Sequence, residues 1–356
     1  MLNQYKLAFI LPPLDDTGGV IPAMMAVIEY LKPKEYQVDI YAIGKTKLSS
    51  EEKIFIINTD NKKLQYKYFI DCFTNDYDLV VANNLRTHRI CIENDVKNLL
   101  CHFHQGNLLR DQHFISFLLK RYKMQYVYKN RYISFVSQCL MQNVMKKFDI
   151  NTKHRDVIYN ALDKESLNKK ANDTIEENLP QEYIIGVGRF TKLKRFDRLI
   201  HIFSKLSSNE HLVLLGDGEE KSNLEKLVDK LGLQDRVHFL GWKKNPYPYM
   251  KNAKLFVSTS SSESFSMVLA ESFSLKVPSV SYDIKCGPNE IMVGELKDYL
   301  VEDNNEDKLL EKIQLALKYY PDIKDEYLEK FSVHKIANKF LNVLEYYVNK
   351  KDLIKN

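Results

Sequence analysis

Short apolar runs alternate with amphipathic stretches along most of this chain, and that alternation constrains its fold more than any other feature. Residues 6–11, 37–42, 79–82, 99–103, 132–136 and 157–159 read as strands, with helical patterns such as 20–31 between them. A βαβα order implies a parallel, doubly wound sheet. A polar segment, 163–181, shows no apolar periodicity, and after it the alternation restarts with strands at 183–187, 211–215, 237–240, 255–257 and 279–281. Two Rossmann-like α/β domains follow: 1–162, a linker 163–181, and 182–332. They are expected to face each other across a cleft, since parallel sheets bind ligands at the carboxyl ends of their strands. A last periodic stretch, 333–348, reads as a helix able to cap either domain, and 333–356 is assigned to completing the first.

With 356 residues there is chain enough for two cores. An apolar fraction of 44% and a charged fraction of 28% are ordinary for a globular protein, and a net charge of +5 is too small to argue for nucleic acid as a partner. No apolar run approaches the ~20 residues of a membrane span, and residues 1–10 lack a secretory pattern, so a cytoplasmic location is expected. Cys72, Cys91, Cys101, Cys139 and Cys286 are scattered and never in Cys-x-x-Cys spacing, which argues for reduced packing residues rather than a disulfide framework or a zinc site.

The chemistry concentrates between Ser258 and Glu271, where a buried strand gives way to a helix expected over 267–275. Glu263 falls in the loop and Glu271 one turn into the helix, with Ser264 and Ser266 as candidate caps. A continuous helix would set the two carboxylates about 12 Å apart on different faces, beyond the ~5–9.5 Å of a glycosidase pair. Two separate jobs at one helix N-terminus fit better. Its unpaired N–H groups and positive dipole end receive a phosphate while the carboxylates accept hydrogen bonds from hydroxyls, and sugar nucleotides carry both groups.

Other motifs sit where strands end. Gly18-Gly19 follows the first strand, either an ordinary βα turn or a close backbone approach to a ligand. Gly188-Arg189 and Lys192-Leu193-Lys194-Arg195 place four cations beyond the strand 183–187; a solvated loop is the bland alternative to a diphosphate grip by Arg189 and Lys194. Gly216-Asp217-Gly218 reads most simply as a tight turn. Gly241-Trp242 puts the only Trp at a strand end, to wall a nucleobase or simply to line a domain surface. His102 and His104 point to one side of their strand, with His104 nearer the carboxyl end, as a structural histidine or a ligand to a sugar hydroxyl. Between Lys120 and Arg131 no acid interrupts a basic, aromatic stretch, which is either a solvated helix face or a surface for anionic lipid.

Taken in order, Gly18-Gly19, His104, Gly188-Arg189, Lys194, Gly216-Asp217-Gly218, Phe239-Leu240-Gly241, Glu263 to Glu271 and Gly287-Pro288-Asn289-Glu290-Ile291 resemble the retaining glycosyltransferases of family 4, which have the GT-B fold. The resemblance is dense from about Tyr183 to Met292 and thin before that. It implies that Glu271 holds the donor ribose and Glu263 lies close to the donor sugar. Arg189 and Lys194 would grip the diphosphate, helped by backbone amides of Phe265 and Ser266 beside Ser264, and Gly241-Trp242 would lie beside the base. His104 would stand near the transferred sugar and Gly18-Gly19 next to the phosphates. Ser264 stands where the family usually has glycine and Ser266 where proline is common. Tyr159-Asn160-Ala161 departs from the usual Pro-Asn-Gly.

The resemblance implies transfer of a hexose or N-acetylhexosamine, with retention, from a nucleotide sugar, expected to be UDP-linked. The phrase Ser281 to Pro288 is similar to enzymes that decorate bacterial surface polymers, so a glycan, glycolipid or polymer acceptor is expected, with peripheral contact to an anionic membrane. No aspartate-rich metal motif is evident, and metal-independent catalysis without a cofactor is expected. A nucleotide-sugar epimerase of the same fold, or a silent nucleotide- or glycan-binding partner of another transferase, are the rival readings.

Overall fold

A computed structural model describes residues 5–13, 19–34, 36–44, 54–57, 59, 61–104, 114–152, 154–207 and 209–355. The chain forms two units, residues 1–161 with 331–356, and residues 162–330.

In the first unit the strands are β1 (Lys6–Leu11), β2 (Gln37–Ile43), β3 (Ile54–Ile57), β4 (Leu79–Ala82), β5 (Leu99–Phe103), β6 (Tyr132–Phe135) and β7 (Arg155–Val157). They pair in parallel in the order β3-β2-β1-β4-β5-β6-β7. Every residue of β4 and β5 is buried, as helices on both faces of a parallel sheet require. Phe9, Phe103, Phe135 and Phe340 are fully buried in this core, and the ring of Phe340, from the helix Val333–Lys355, meets Phe9 edge-on at 5.9 Å.

The second unit holds β8 (Tyr183–Val187), β9 (His211–Leu215), β10 (Val237–Gly241), β11 (Leu255–Ser258), β12 (Ser279–Asp283) and β13 (Leu300–Glu302), parallel in the order β10-β9-β8-β11-β12-β13. Tyr183, Phe190, Phe273 and Tyr282 fill its core. The polar stretch 163–181 contains a helix, Lys164–Lys170, started by Asp163, whose carboxylate accepts from the Ser166 N–H at 3.0 Å. This helix packs against the helices Tyr247–Lys251 and Met267–Ser274.

Both sheets reverse strand order once, between β1 and β4 and between β8 and β11. Loops leaving adjacent strands in opposite directions open a crevice at such a switch point. The expectation of reduced cysteines holds for the free Cys72, Cys91 and Cys101, and it is corrected for Cys139 and Cys286, which are not free thiols.

Candidate active site

At the second sheet's switch point, the loops after β8 and β11 are bound to each other. The Ser261 N–H donates to the Leu193 carbonyl at 2.8 Å, and the Thr259 hydroxyl donates to the Arg195 carbonyl at 2.9 Å. This lacing carries Lys194 to Glu263, whose carboxylate it meets at 2.6 Å. The pair is only partly exposed, 28% for the Lys194 side chain and 15% for Glu263. Arg189 stands exposed at the strand end, while Arg195 is turned to Asp197 at 3.0 Å. Of the four cations read from the sequence, Lys194 is brought against the glutamate loop, and Arg195 serves its own helix.

Gly216-Asp217-Gly218 does more than turn the chain. The Phe190 N–H donates to the Asp217 carbonyl at 2.9 Å and the Gly188 N–H to Leu215 at 2.9 Å, so the loop after β9 lies flat on the Arg189 loop. A Cβ at Gly216 would sit 1.9 Å from the Gly188 oxygen, and one at Gly218 2.4 Å from the Phe190 oxygen. Both glycines have positive φ, +148° and +156°, a region L side chains rarely enter. The motif thus supports the segment that carries Arg189.

The helix Met267–Ser274 begins at Ser266, whose hydroxyl makes no cap. The left-handed backbone of this loop falls at Ser266, with φ +71°, and not at Ser264, where the family usually has glycine. The Ser266 hydroxyl is buried without a partner. Gly287, at φ +100°, packs on the same loop so closely that a Cβ would lie 2.9 Å from the Phe265 backbone.

One turn into that helix, Glu271 is buried and accepts a hydrogen bond from the Tyr247 hydroxyl at 3.2 Å. Burial raises its carboxyl to about 7, against the weaker opposing effects of the Tyr247 bond and of Lys170 and Lys194. The same burial and the neighbouring carboxylate push the Tyr247 phenol far up. Tyr247 was not singled out from the sequence, where only its place in the first turn of a short helix after Gly241-Trp242 pointed to it. Gly241 closes β10 at φ +71°, and Trp242 is 56% exposed, an uncovered indole face.

In the first unit the switch-point strands present Asn83, directly after β4, and His104, directly after β5; the His104 Nε2 lies 3.1 Å from the Asn83 Oδ1. His102 and His104 are on one side of the strand as expected, with their rings 4.4 Å apart. Gly18 lies outside the described residues. Gly19 precedes the helix Val20–Leu31 with an ordinary φ of −68°, so its lack of a side chain is not required by the backbone there.

Two parallel sheets of this order with the glutamate loop at the second switch point define the GT-B fold. Residues 168–332 match the family described as "Glycosyl transferases group 1", in line with the resemblance to glycosyltransferases read from the sequence. The chain is 32% identical over 178 residues to N-acetylgalactosamine-N,N'-diacetylbacillosaminyl-diphospho-undecaprenol 4-alpha-N-acetylgalactosaminyltransferase of Campylobacter jejuni, covering 50% of this chain and 48% of that protein. It is 29% identical over 173 residues to poly(ribitol-phosphate) alpha-N-acetylglucosaminyltransferase of Staphylococcus aureus, covering 46% and 35%. The chain spans about half or less of the length of these relatives. Anabaena HepE in complex with UDP and glucose superposes with a TM-score of 0.74 at 16% identity, over 96% of this chain and 100% of that one. A glycosyltransferase from Rickettsia africae does so with 0.73 at 18%, over 97% and 99%. At such identities the likeness is one of fold.

Proposed function

We propose that the protein is a retaining glycosyltransferase that moves a hexose or N-acetylhexosamine from a UDP-sugar to a bacterial surface glycan. The observation that carries this reading is the Lys194–Glu263 pair, laced at the second switch point to the loop that leads into the Glu271 helix. A diphosphate arriving at this helix start gives Lys194 a second anionic partner and meets Arg189 at the neighbouring strand end. Glu271 accepts hydrogen bonds from the ribose hydroxyls, and Trp242 offers a face to the base.

As the bond between the anomeric carbon and the diphosphate oxygen breaks, charge grows on the leaving group where Lys194, Arg189 and the helix N-terminus stabilise it. The acceptor hydroxyl attacks the anomeric carbon from the same face. Its proton passes to a phosphate oxygen, and the nucleoside diphosphate departs. These cations supply the countercharge, so the reaction is proposed to need no metal. Calorimetry with UDP, GDP and dTDP tests the site: binding of UDP, weakened by about 10- to 100-fold in Lys194→Ala through loss of one charge-assisted contact, is expected. Equal binding by the variant would overturn the assignment of Lys194.

We also propose a cytoplasmic location with peripheral contact to anionic membrane, through the helix Phe114–Tyr128. Among the described residues no helix is long and apolar enough to cross a membrane. Leu118, Leu119, Tyr122 and Tyr126 are 45%, 68%, 72% and 77% exposed and recur at helical spacing, with Lys123 and Lys129 exposed beside them. The opposite face, with Met124 and Tyr128, is buried. Lys120 and Arg121 belong to the inner side, one over the Phe148 ring and the other bonded to Asp149 at 2.8 Å.

A further inference from the structure

The polar stretch 163–181, which showed no apolar periodicity, is bonded side chain by side chain to the loop that follows β10. That loop leaves the sheet at Gly241 with φ +71° and holds neither helix nor strand until Tyr247. The Asn245 Nδ2 donates to the Lys170 carbonyl and to the Asp173 carboxylate, each at 2.8 Å. Lys251, the last residue of the helix Tyr247–Lys251, donates to the Asn172 Oδ1 at 2.7 Å. Glu177 accepts from the Lys243 ammonium with one carboxylate oxygen and from the Tyr249 hydroxyl with the other. All of these residues belong to the second unit.

Lys243, Asn245, Tyr249 and Lys251 are thus turned to the polar stretch, whereas Trp242 is exposed and Tyr247 donates to Glu271 at 3.2 Å. The two residues that serve the site are set among the tied ones: Trp242 adjoins Lys243, and Tyr247 lies between Asn245 and Tyr249. The bonds from Lys243 and Tyr249 hold the Glu177 carboxyl down to about 2, so this clamp stays ionised across the physiological range. An ion pair with 24% and 32% of its side chains exposed contributes little to global stability. Its effect is local, on a loop that no helix or strand holds between Gly241 and Tyr247.

We propose that Asn172 to Glu177 form a strap that preorganises the wall of the nucleotide base, with Glu177 as its positioning residue: through Lys243 and Tyr249 it fixes Trp242 and Tyr247, and through Tyr247 the Glu271 carboxyl. Ordering the loop before the ligand arrives removes an entropy cost from binding. The proposal deepens the reading of the protein as a sugar transferase and rests on it for the identity of the ligand. It makes Glu177 act on the nucleoside end of the donor and not on the diphosphate, which Lys194 and the helix start receive.

Trp242 is the only Trp of the chain, so its fluorescence reports this loop alone. Anisotropy decay of the intact free protein tests the strap with no nucleotide present, which separates it from failure of the transferase reading. In Glu177→Ala the fast, local component is expected to grow about twofold in amplitude, with the melting temperature nearly unchanged. Glu177→Gln, which keeps an acceptor for the Tyr249 hydroxyl, is expected to fall between. An unchanged decay in Glu177→Ala overturns the strap. Calorimetry with UDP and with inorganic diphosphate supplies the functional arm. UDP binding is expected to weaken about tenfold in Glu177→Ala, while binding of inorganic diphosphate stays as in the wild type. Equal weakening of both would show a merely structural role and overturn the proposal. Failure of the wild-type protein to bind UDP would overturn the base-side role together with the transferase reading.

Discussion

Replacing Glu271 by Gln should stabilise the free protein, and more so as pH rises. Glu271 is a buried carboxyl raised from 4.5 to about 7, mainly by burial. Its native form therefore holds a proton that the unfolded chain has already lost between those values. Because the native state binds more protons there, stability falls as pH climbs from about 4.5 to about 7 and stays lowered above that. At ~1.4 kcal/mol for each tenfold change in proton affinity, the gap amounts to about 3 kcal/mol. Gln is isosteric, keeps an oxygen for the Tyr247 hydroxyl and carries no charge to bury. For a unit of this size about 3 kcal/mol corresponds to roughly 6–12 °C in melting temperature. Thermal denaturation of both proteins from pH 4 to 8.5 is the assay. The curves should coincide near pH 4 and separate above 7, with the variant higher. Added UDP should narrow the difference, because the wild-type carboxylate then gains ribose partners. Parallel curves, or a variant less stable at pH 8, would refute the argument that an unoccupied Glu271 is held at a cost.

Ser266→Gly should raise the urea midpoint by the equivalent of about 1 kcal/mol, since relief of the left-handed backbone and of a buried, unpartnered hydroxyl outweighs the added flexibility of glycine. Gly218→Ala, whose Cβ would lie 2.4 Å from the Phe190 oxygen, should destabilise by about 2 kcal/mol or more and lower activity by displacing the Arg189 loop; an unchanged midpoint would sink the close-approach account. Lys123→Glu with Lys129→Glu should release the protein from vesicles of phosphatidylglycerol, read by co-sedimentation. Lys120→Glu with Arg121→Glu should do so less, and the reverse order would contradict the orientation of that helix.

Much of the scaffold was legible because parallel strands buried on both faces leave compact apolar runs: β1, β4, β5, β8 and β9 have the limits read from the sequence. β3 and β13 escaped because they are edge strands of four and three residues, β3 half-exposed, with too little alternation to register. The helix Lys164–Lys170 escaped because its apolar face is a single buried Leu167. Within the site, spacing along the chain revealed the glutamate loop and the cations, yet not which cation meets which acid. The Lys194–Glu263 pair joins positions 69 residues apart, and Tyr247 reaches Glu271 from a different helix. Neither leaves a local signal. Asn83 was hidden likewise, because an asparagine after a strand looks like any turn until β5 brings His104 beside it.

The central claim is sugar transfer from a nucleotide donor without a metal. Release of nucleotide from a panel of UDP-, GDP- and dTDP-sugars, by the purified protein with and without EDTA and alongside Glu271→Ala, tests it most directly. Release from a UDP-sugar that persists in EDTA and is lost in the variant is the predicted result. Loss of activity in EDTA, equal release by Glu271→Ala, or failure of the protein both to turn over any donor and to bind any of the three nucleotides would contradict it.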